Sequence, residues 1–297
     1  MIESVGICNA TCQYCPQGAG MLKKPEKSQV FLTPTVLEKA LYLAKKGNQK
    51  AIYLHHRGEP LLHPNIGYIV KTIRKAGFFA YISTNMIAAT EKKLKDVLLA
   101  GANEFEVHIS AGLTKITIET LLEKIHFLRK MNWEIRNNGC KIKMNYALQG
   151  NETEDSVRDI LSSSQFYDED MPIRFYKPHD WPGIMSTDED LSTTSNKIPL
   201  MSPEDCEWYK TESCAILANG DVVICCLDQK AYSKKVNIMD IDELNFEHLS
   251  NRKICERCVF HKWNMDWLKR DALSIPGSIS RRQIIDAIKK NGDEISV

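Results

Sequence analysis

Cysteine is the residue type best able to do chemistry in this chain, and its positions are clustered. Cys8, Cys12 and Cys15 lie near the start in the spacing CxxxCxxC, and Cys140 stands alone in the middle. Six more follow in the last third of the chain: Cys206, Cys214, Cys225, Cys226, Cys255 and Cys258. We recognise no secretory signal, and thiols persist in a reducing compartment. The clustering therefore favours metal binding or catalysis over disulfides.

The first cluster has the spacing of an iron-sulfur ligand set. Three thiolates on one short loop can hold three irons of a cubane 4Fe-4S cluster, which leaves the fourth iron without a protein ligand. Zinc is the competing interpretation, but structural zinc is normally held by four ligands in paired spacing. No fourth cysteine lies near this loop. The sequence therefore predicts a 4Fe-4S cluster with one open iron.

The elements that must position this loop alternate between β-rich and amphipathic helical runs. Such alternation predicts parallel strands joined by crossover helices. Strands are predicted over 2–6, 51–55, 79–84, 104–110, 141–147 and 173–176, and the first helix is predicted to begin after an N-cap at Thr33. Six units cannot close an eight-stranded barrel, so we expect an α/β fold, a partial (β/α)6 TIM-like barrel with function at the carboxyl ends of its strands.

The chain after this barrel reads as a different unit. Residues 186–205 are rich in Ser, Thr, Asp and Asn, which indicates a linker between a barrel domain over 1–185 and a small domain over 206–297. Asn219-Gly220 between two short apolar runs is typical of a β-hairpin. A final helix is predicted to begin at Ser280.

The opening segment resembles the radical S-adenosylmethionine (radical SAM) superfamily, whose signature is CxxxCxxC after the first strand, with an aromatic residue such as Tyr14 before the third cysteine. The segment HRGEP at 56–60 resembles the family's GGEP motif, with Arg57 in place of the first glycine. The resemblance implies that S-adenosylmethionine chelates the open iron. Its reductive cleavage would give methionine and a 5′-deoxyadenosyl radical that removes hydrogen from a substrate. It also implies an external one-electron reductant such as flavodoxin or ferredoxin.

The same resemblance implies the residues around S-adenosylmethionine. Gly58 allows a close backbone approach, and Glu59 offers an anionic acceptor for the methionine ammonium group. The residues implied to bind the cofactor are Tyr14, Gly58, Glu59, Pro60, Ser83, Asn85 and Ser110. Capping or turn roles are the alternative for the last three.

The second cysteine cluster resembles the Twitch domain, a shortened relative of the SPASM domain. The likeness consists of a leading cysteine, a hairpin ending in GDVVICC, and a later CERC. It implies an auxiliary 4Fe-4S cluster on four ligands: Cys206, Cys225, Cys255 and Cys258. A structural zinc on the same thiolates stays open, and Cys214 is a rival ligand. A thioredoxin-like redox CxxC lacks the strand-to-helix context.

Several reactions fit such a layout. The first hypothesis is an epimerase of an aminoglycoside or amino sugar, with Cys226 as hydrogen-atom donor and Cys214 as the second candidate; adjacent residues of an extended strand face opposite sides. The alternative is a dehydrogenase of an aminocyclitol or sugar alcohol that passes an electron to the auxiliary cluster. Modification of a ribosomal peptide is a third, although the few residues before Cys8 leave no room for an amino-terminal peptide-binding domain. The last alternative is a metal-bound structural or binding protein without enzymatic activity.

Composition narrows the partners. Lysine plus arginine (39) nearly equals aspartate plus glutamate (38), which disfavours nucleic acid. No run of about 18 apolar residues predicts a membrane span, so we expect a cytoplasmic protein. Acidic stretches at 167–170 and 187–191 favour a polycationic amino-sugar substrate. His179, Asp180 and Trp181, after the last predicted strand, are candidates for the substrate pocket, with a strand-ending turn as the alternative.

Overall fold

A computed structural model describes residues 1–178, 213–231, 234 and 236–244. Several predictions concern residues outside these ranges: the linker at 186–205, the final helix from Ser280, the pocket residues His179, Asp180 and Trp181, and the ligands Cys206, Cys255 and Cys258. The domain boundaries at 185 and 206 also stay predictions.

A five-stranded parallel sheet forms the centre of the fold, and its strands neighbour one another in chain order. The strands are β1 (Ala51–Leu54), β2 (Phe79–Thr84), β3 (Glu104–His108), β4 (Lys141–Ala147) and β5 (Ile173–Tyr176). The helices are α1 (Pro34–Lys46), α2 (Ile66–Lys75), α3 (Glu91–Ala100), the short α4 (Ile109–Gly112), α5 (Ile118–Arg136) and α6 (Glu154–Leu161). The predicted α/β partial-barrel class is confirmed.

The predicted first strand, 2–6, is not formed as a strand. Ile2 donates one backbone hydrogen bond to the Tyr53 carbonyl of β1 (2.9 Å), whereas the next residue, Glu3, donates to Ile216 (2.8 Å). The segment also exchanges backbone hydrogen bonds with residues 30–32, so it divides its bonds among three neighbours and makes only isolated bridges, one of them from Val5. Five of the six strands predicted for the barrel are therefore formed among the described residues. The strand predicted over 104–110 ends at His108, because α4 begins at Ile109.

Threonine side chains begin most of the longer helices. The Thr33 hydroxyl accepts the Val36 N–H at the start of α1 (3.3 Å), as predicted. Thr90, Thr117 and Thr153 cap α3, α5 and α6 in the same way. Each cap satisfies a backbone N–H that the helix itself leaves without a partner. The helices so fixed bury their apolar stripes against the sheet in one continuous core.

The two faces of the sheet differ in character because side chains alternate along a strand. On the face toward the helices the strand residues are apolar and buried: Ile52, Leu54, Ala80, Ile82, Phe105 and Val107. The inner face carries aromatic and polar residues: Tyr53, Tyr81, Ser83, Glu104, Glu106, His108, Lys143 and Asn145. The inner face therefore presents polar groups toward the carboxyl ends of the strands.

The predicted hairpin is present, as β6 (Ala215–Ile216) and β7 (Val222–Val223), with Gly220 in the left-handed region at φ 89°. It lies against the amino terminus. The Met1 ammonium group donates to the Cys214 carbonyl (2.9 Å), and Ile216 donates to the Met1 carbonyl (3.0 Å). No helix in the described ranges has the length and apolar character needed to cross a membrane.

Candidate active site

A cavity of about 380 Å³ lies at the carboxyl ends of the first three strands. It brings together the predicted cysteine loop, the HRGEP segment, the end of β2 and one cysteine from the second cluster. Among its lining residues are Cys8, Cys12, Tyr14, Cys15, Gly58, Glu59, Ser83, Asn85 and Cys226. Residues distant in the chain thus meet at the strand ends, where parallel barrels carry their function.

The three thiols of the loop line one wall of this cavity. Cys12 is buried, and Cys8 accepts hydrogen bonds from the Ala10 N–H and the Asn85 side-chain amide, both 3.4 Å long. Burial raises the pKa of Cys8 to about 12 and that of Cys12 to about 11. Within the described ranges, no three His, Cys, Asp or Glu side chains converge closely enough to hold a single metal ion. The three thiols lie near enough to affect one another's pKa, and the cysteine ligands of a cubane bind separate irons, so the arrangement is compatible with a cubane.

Glu59 is buried near Cys8, with only 2% of its surface exposed. Its carboxylate accepts three hydrogen bonds: from the Leu61 N–H (2.9 Å), the Thr84 hydroxyl (2.6 Å) and the Asn85 N–H (2.8 Å). Burial raises the pKa of Glu59, and the three donors oppose that shift. Because all three partners donate, the geometry suits the charged carboxylate, which can also receive an ammonium group. Thr84 lies between the predicted residues Ser83 and Asn85 but was not included in the predicted cofactor set; it alternates toward the buried face of β2.

Gly58 explains why the HRGEP segment approaches the cysteine loop so closely. A Cβ atom at this position would lie 2.0 Å from the Val5 carbonyl oxygen and 2.5 Å from that of Ile7. The neighbouring Glu59 N–H donates to the Ile7 carbonyl (2.9 Å). The segment before Cys8 and the HRGEP segment are therefore packed backbone to backbone, and only glycine fits between them.

Some of the other predicted cofactor residues line the cavity, and others are buried behind it. Ser83 lines the cavity and its hydroxyl lies 2.9 Å from His108 Nε2. Ser110 is buried, does not line the cavity, and contacts the Tyr14 hydroxyl (2.9 Å) and the Ala147 N–H (3.1 Å). Pro60 is also buried, where it begins a short 3-10 helix over Pro60–Leu62. Ser110 and Pro60 therefore pack behind the residues that line the cavity.

Sequence reasoning missed a group of titratable residues in the same cavity: His55, His56, Glu106 and His108. Burial lowers the pKa of His55 to about 4, and among the described residues its buried Nδ1 has no hydrogen-bond partner. Burial also lowers the pKa of His108. Burial alone would raise the pKa of Glu106, but His108 and the Asn145 side chain hold it below its ordinary value. The signal for Glu106 and His108 was the alternation of β3, which directs both side chains inward; His55 continues the inward alternation of β1 by one residue, and no such pattern indicated His56.

The described cysteines of the second cluster lie in different places. Cys226 lines the cavity with the first cluster, whereas Cys214 lines a separate cavity of about 400 Å³ beside α1. Cys225 is half-buried and accepts a hydrogen bond from the Leu227 N–H (3.4 Å). The extended strand predicted through Cys225 and Cys226 ends earlier, at Val223, so a turn and not the strand sets their directions. Their roles stay predictions.

The fold is a partial α/β barrel, and its candidate site combines three thiols with a buried carboxylate. These features are typical of a barrel enzyme that binds an iron-sulfur cluster. Residues 2–163 match the Radical SAM superfamily, which is more than half of the chain. The protein belongs to the radical SAM superfamily, so its cofactors are S-adenosylmethionine and a 4Fe-4S cluster. The predicted recognition is confirmed at this level.

One curated relative is the S-adenosyl-L-methionine-dependent 2-deoxy-scyllo-inosamine dehydrogenase of Niallia circulans. It is 33% identical over 115 residues, which cover 37% of this chain and 44% of that enzyme. The match therefore spans less than half of the relative's length.

Two solved structures share the fold over most of the chain. anSMEcpe with bound AdoMet matches at a TM-score of 0.61 and 12% identity, over 97% of this chain and 96% of that one. BtrN in complex with AdoMet and 2-DOIA matches at a TM-score of 0.50 and 18% identity, over 88% of this chain and 84% of that one. At these identities the likeness concerns the fold alone.

Proposed function

We propose that this protein is a radical SAM dehydrogenase that oxidises a secondary alcohol of a small, amine-bearing ring to a ketone. The observation that carries the proposal is the 33% identity to an aminocyclitol dehydrogenase. That match supports the dehydrogenase alternative over the epimerase that was the first hypothesis. The cavity adds support, because polar side chains such as Ser83, Asn85 and Glu106 are among its lining residues and can hydrogen-bond to a hydroxyl-rich ligand.

The proposed cofactor site uses the residues implied by the family. Cys8, Cys12 and Cys15 would hold the cluster, and Glu59 would receive the ammonium group of S-adenosylmethionine. Asn85 would support both, since it donates to the Cys8 thiol and its backbone N–H donates to Glu59. Gly58 and Ser83 line the same cavity, while Pro60, Tyr14 and Ser110 complete the cofactor set.

An alcohol becomes a ketone by losing a carbon-bound hydrogen atom, a hydroxyl proton and an electron. When bound, the cluster and S-adenosylmethionine supply the 5′-deoxyadenosyl radical that takes the hydrogen atom. We assign the proton to His55, which lines the cavity and whose imidazole is neutral near pH 7 because burial lowers its pKa. The electron passes to a one-electron acceptor. We propose an auxiliary 4Fe-4S cluster on Cys225 and three cysteines outside the described ranges, namely Cys206, Cys255 and Cys258.

Epimerisation is retained as the second candidate because of one observation. Cys226 lines the cavity, so a thiol is available there to return a hydrogen atom to a substrate carbon. Cys214, the second candidate donor, lines a different cavity, which argues against that role for it. The two reactions differ in whether hydrogen returns to carbon.

The test is to supply the anaerobically reconstituted enzyme with 2-deoxy-scyllo-inosamine, S-adenosylmethionine and dithionite in deuterated water. A dehydrogenase forms one ketone for each 5′-deoxyadenosine and puts no solvent deuterium on carbon. An epimerase returns an inverted alcohol that carries one deuterium. Cys226→Ala should leave ketone formation within about twofold of wild type and should abolish inversion. Deuterated alcohol without ketone would overturn the dehydrogenase, and absence of both products would overturn the substrate class.

A further inference from the structure

Glu106 lies in the middle of a row of polar side chains on the inner face. In the strand register, Glu106 of β3 is level with Ser83 of β2. Leu54 of β1 is level with Ile82, so His55, the next residue, continues the same row. Neighbouring strands are about 4.8 Å apart. Three side chains from three strands are therefore adjacent in the cavity wall, and all three line the cavity.

Hydrogen bonds hold this carboxylate in a defined position. The Asn145 side-chain amide donates to Glu106 Oε1 at 2.6 Å. Within the described ranges, Oε2 has no hydrogen-bond partner, so half of the carboxylate is available to a ligand in the cavity. Ser83 fixes His108 on the other side at 2.9 Å. Hydrogen bonds therefore fix the position of the Glu106 carboxylate and leave one of its oxygens available to a ligand.

No described side chain forms an ion pair with Glu106, although His108, His55 and Lys143 lie near enough to lower its pKa. Lys143 is level with it on β4, but its ammonium group is paired with Glu104 Oε1 at 2.6 Å. Arg57, the other cation of the cavity wall, is paired with Glu3. Burial lowers the pKa of both His55 and His108, which keeps their imidazoles neutral near pH 7. Glu106 is half-buried, and a partly desolvated charge is stabilised by an ion pair, so this carboxylate suits a cationic group of a ligand in the cavity.

We infer that Glu106 binds the ammonium group of the substrate, a small ring that carries both an amine and hydroxyl groups. The unpartnered Nδ1 of His55, in the same row, provides a hydrogen-bonding position for one of those hydroxyls. The inference rests on the proposed function for its substrate class and deepens it by naming the residue that selects the amine.

The test compares two probes on the reconstituted holoprotein with S-adenosylmethionine and without reductant. 2-Deoxy-scyllo-inosamine carries the amine and scyllo-inositol does not; their affinities are measured by calorimetry. Glu106→Gln should weaken binding of the amine at least about tenfold, as expected for loss of a buried charge pair. It should change binding of the inositol less than about twofold. The glutamine can still accept from Asn145, so the position of the side chain is kept.

Glu91→Gln is the control, since Glu91 is exposed at the start of α3 and lies outside the cavity lining, and it should leave both affinities unchanged. Glu106→Asp, which keeps the charge, should retain more amine binding than the glutamine variant. An unchanged affinity for S-adenosylmethionine shows that each variant is folded.

The inference would be overturned if Glu106→Gln weakened the binding of both probes equally, or weakened neither. It would also be overturned if the wild-type protein failed to bind the amine probe. If the wild type binds the amine through Glu106 but forms no ketone after reduction, the ammonium site stands and the proposed dehydrogenase reaction fails.

Discussion

Arg57 donates two hydrogen bonds to the fully buried carboxylate of Glu3, from Nε to Oε2 and from Nη2 to Oε1, each 2.8 Å long. The Ala218 N–H of the carboxyl-terminal hairpin adds a longer contact to the same carboxylate at 3.3 Å. Three distant segments therefore meet on one side chain. The departure of HRGEP from GGEP has a structural consequence, because a glycine at this position could not make the paired contact.

Glu3→Gln is expected to destabilise the protein at neutral pH by about 3 kcal/mol, because it breaks a buried ion pair. Burial alone would raise the pKa of Glu3, but Arg57 and His56 lower it to about 2 from an ordinary value of 4.5. The stabilisation is therefore complete above pH 4.5 and is lost as the pH falls toward 2.

Urea unfolding of wild type and Glu3→Gln across this pH range checks the prediction, and the two stabilities should converge at the acidic end. Glu104→Gln removes a more exposed pair with Lys143 and should cost less than about 1 kcal/mol. A constant difference between wild type and Glu3→Gln at all pH values would contradict the assigned cause.

Gly58→Ala is expected to destabilise the protein by about 3 kcal/mol or more and to weaken binding of S-adenosylmethionine. The added Cβ would meet the Val5 backbone at 2.0 Å, so two backbone segments must separate. Gly47→Ala is the control, because its Cβ would meet ordinary contacts at 3.6 Å. It should change stability by less than about 1 kcal/mol. Similar melting temperatures for the two variants would contradict the packing argument.

Glu59→Gln is expected to lower the affinity for S-adenosylmethionine about 10- to 100-fold. The substitution removes the charge that the ammonium group needs, and it sets an amide N–H₂ against a group of three donors. Thr84→Val removes one of those donors but keeps the charge, so its affinity should fall less than about tenfold. Equilibrium binding to the reconstituted protein measures both. A larger loss in Thr84→Val would show that orientation, not charge, dominates.

Alanine substitution of Cys8, Cys12 or Cys15 is expected to abolish 5′-deoxyadenosine formation and to remove about four irons per chain. Cys140→Ala is the control, because this thiol is buried beside Asn132 and away from the cavity. Its iron content should match wild type. Iron and sulfide analysis after anaerobic reconstitution distinguishes the two outcomes, and retained iron in all three variants would refute the ligand assignment.

Cys225→Ala is expected to remove about four of about eight irons while leaving the first cluster able to cleave S-adenosylmethionine. Cys214→Ala should keep all the iron if Cys206 is the ligand, and should lose the same amount as Cys225→Ala if Cys214 is. Iron analysis and electron paramagnetic resonance of the reduced protein measure both variants. Stoichiometric zinc in the wild type, with iron only for one cluster, would favour the structural zinc alternative.

Local sequence determined a large part of this protein. The spacing of Cys8, Cys12 and Cys15 specified a cluster loop, the alternation of strands and helices specified a parallel α/β sheet, and Thr33 and Asn219-Gly220 specified a helix start and a hairpin. These features depend on neighbours within a few residues, so a linear pattern carries them.

Only the tertiary structure decided which polar groups meet. The Glu3–Arg57 pair joins residues 54 apart in the chain, and the Glu59–Thr84 contact joins residues 25 apart. The position of Glu106 depends on the register of β3 against its neighbours. The same packing let residues 2–6 divide their hydrogen bonds among β1, the hairpin and residues 30–32, and so prevented the predicted strand. Strand register and backbone packing fix such contacts over long chain separations, and no local pattern records them.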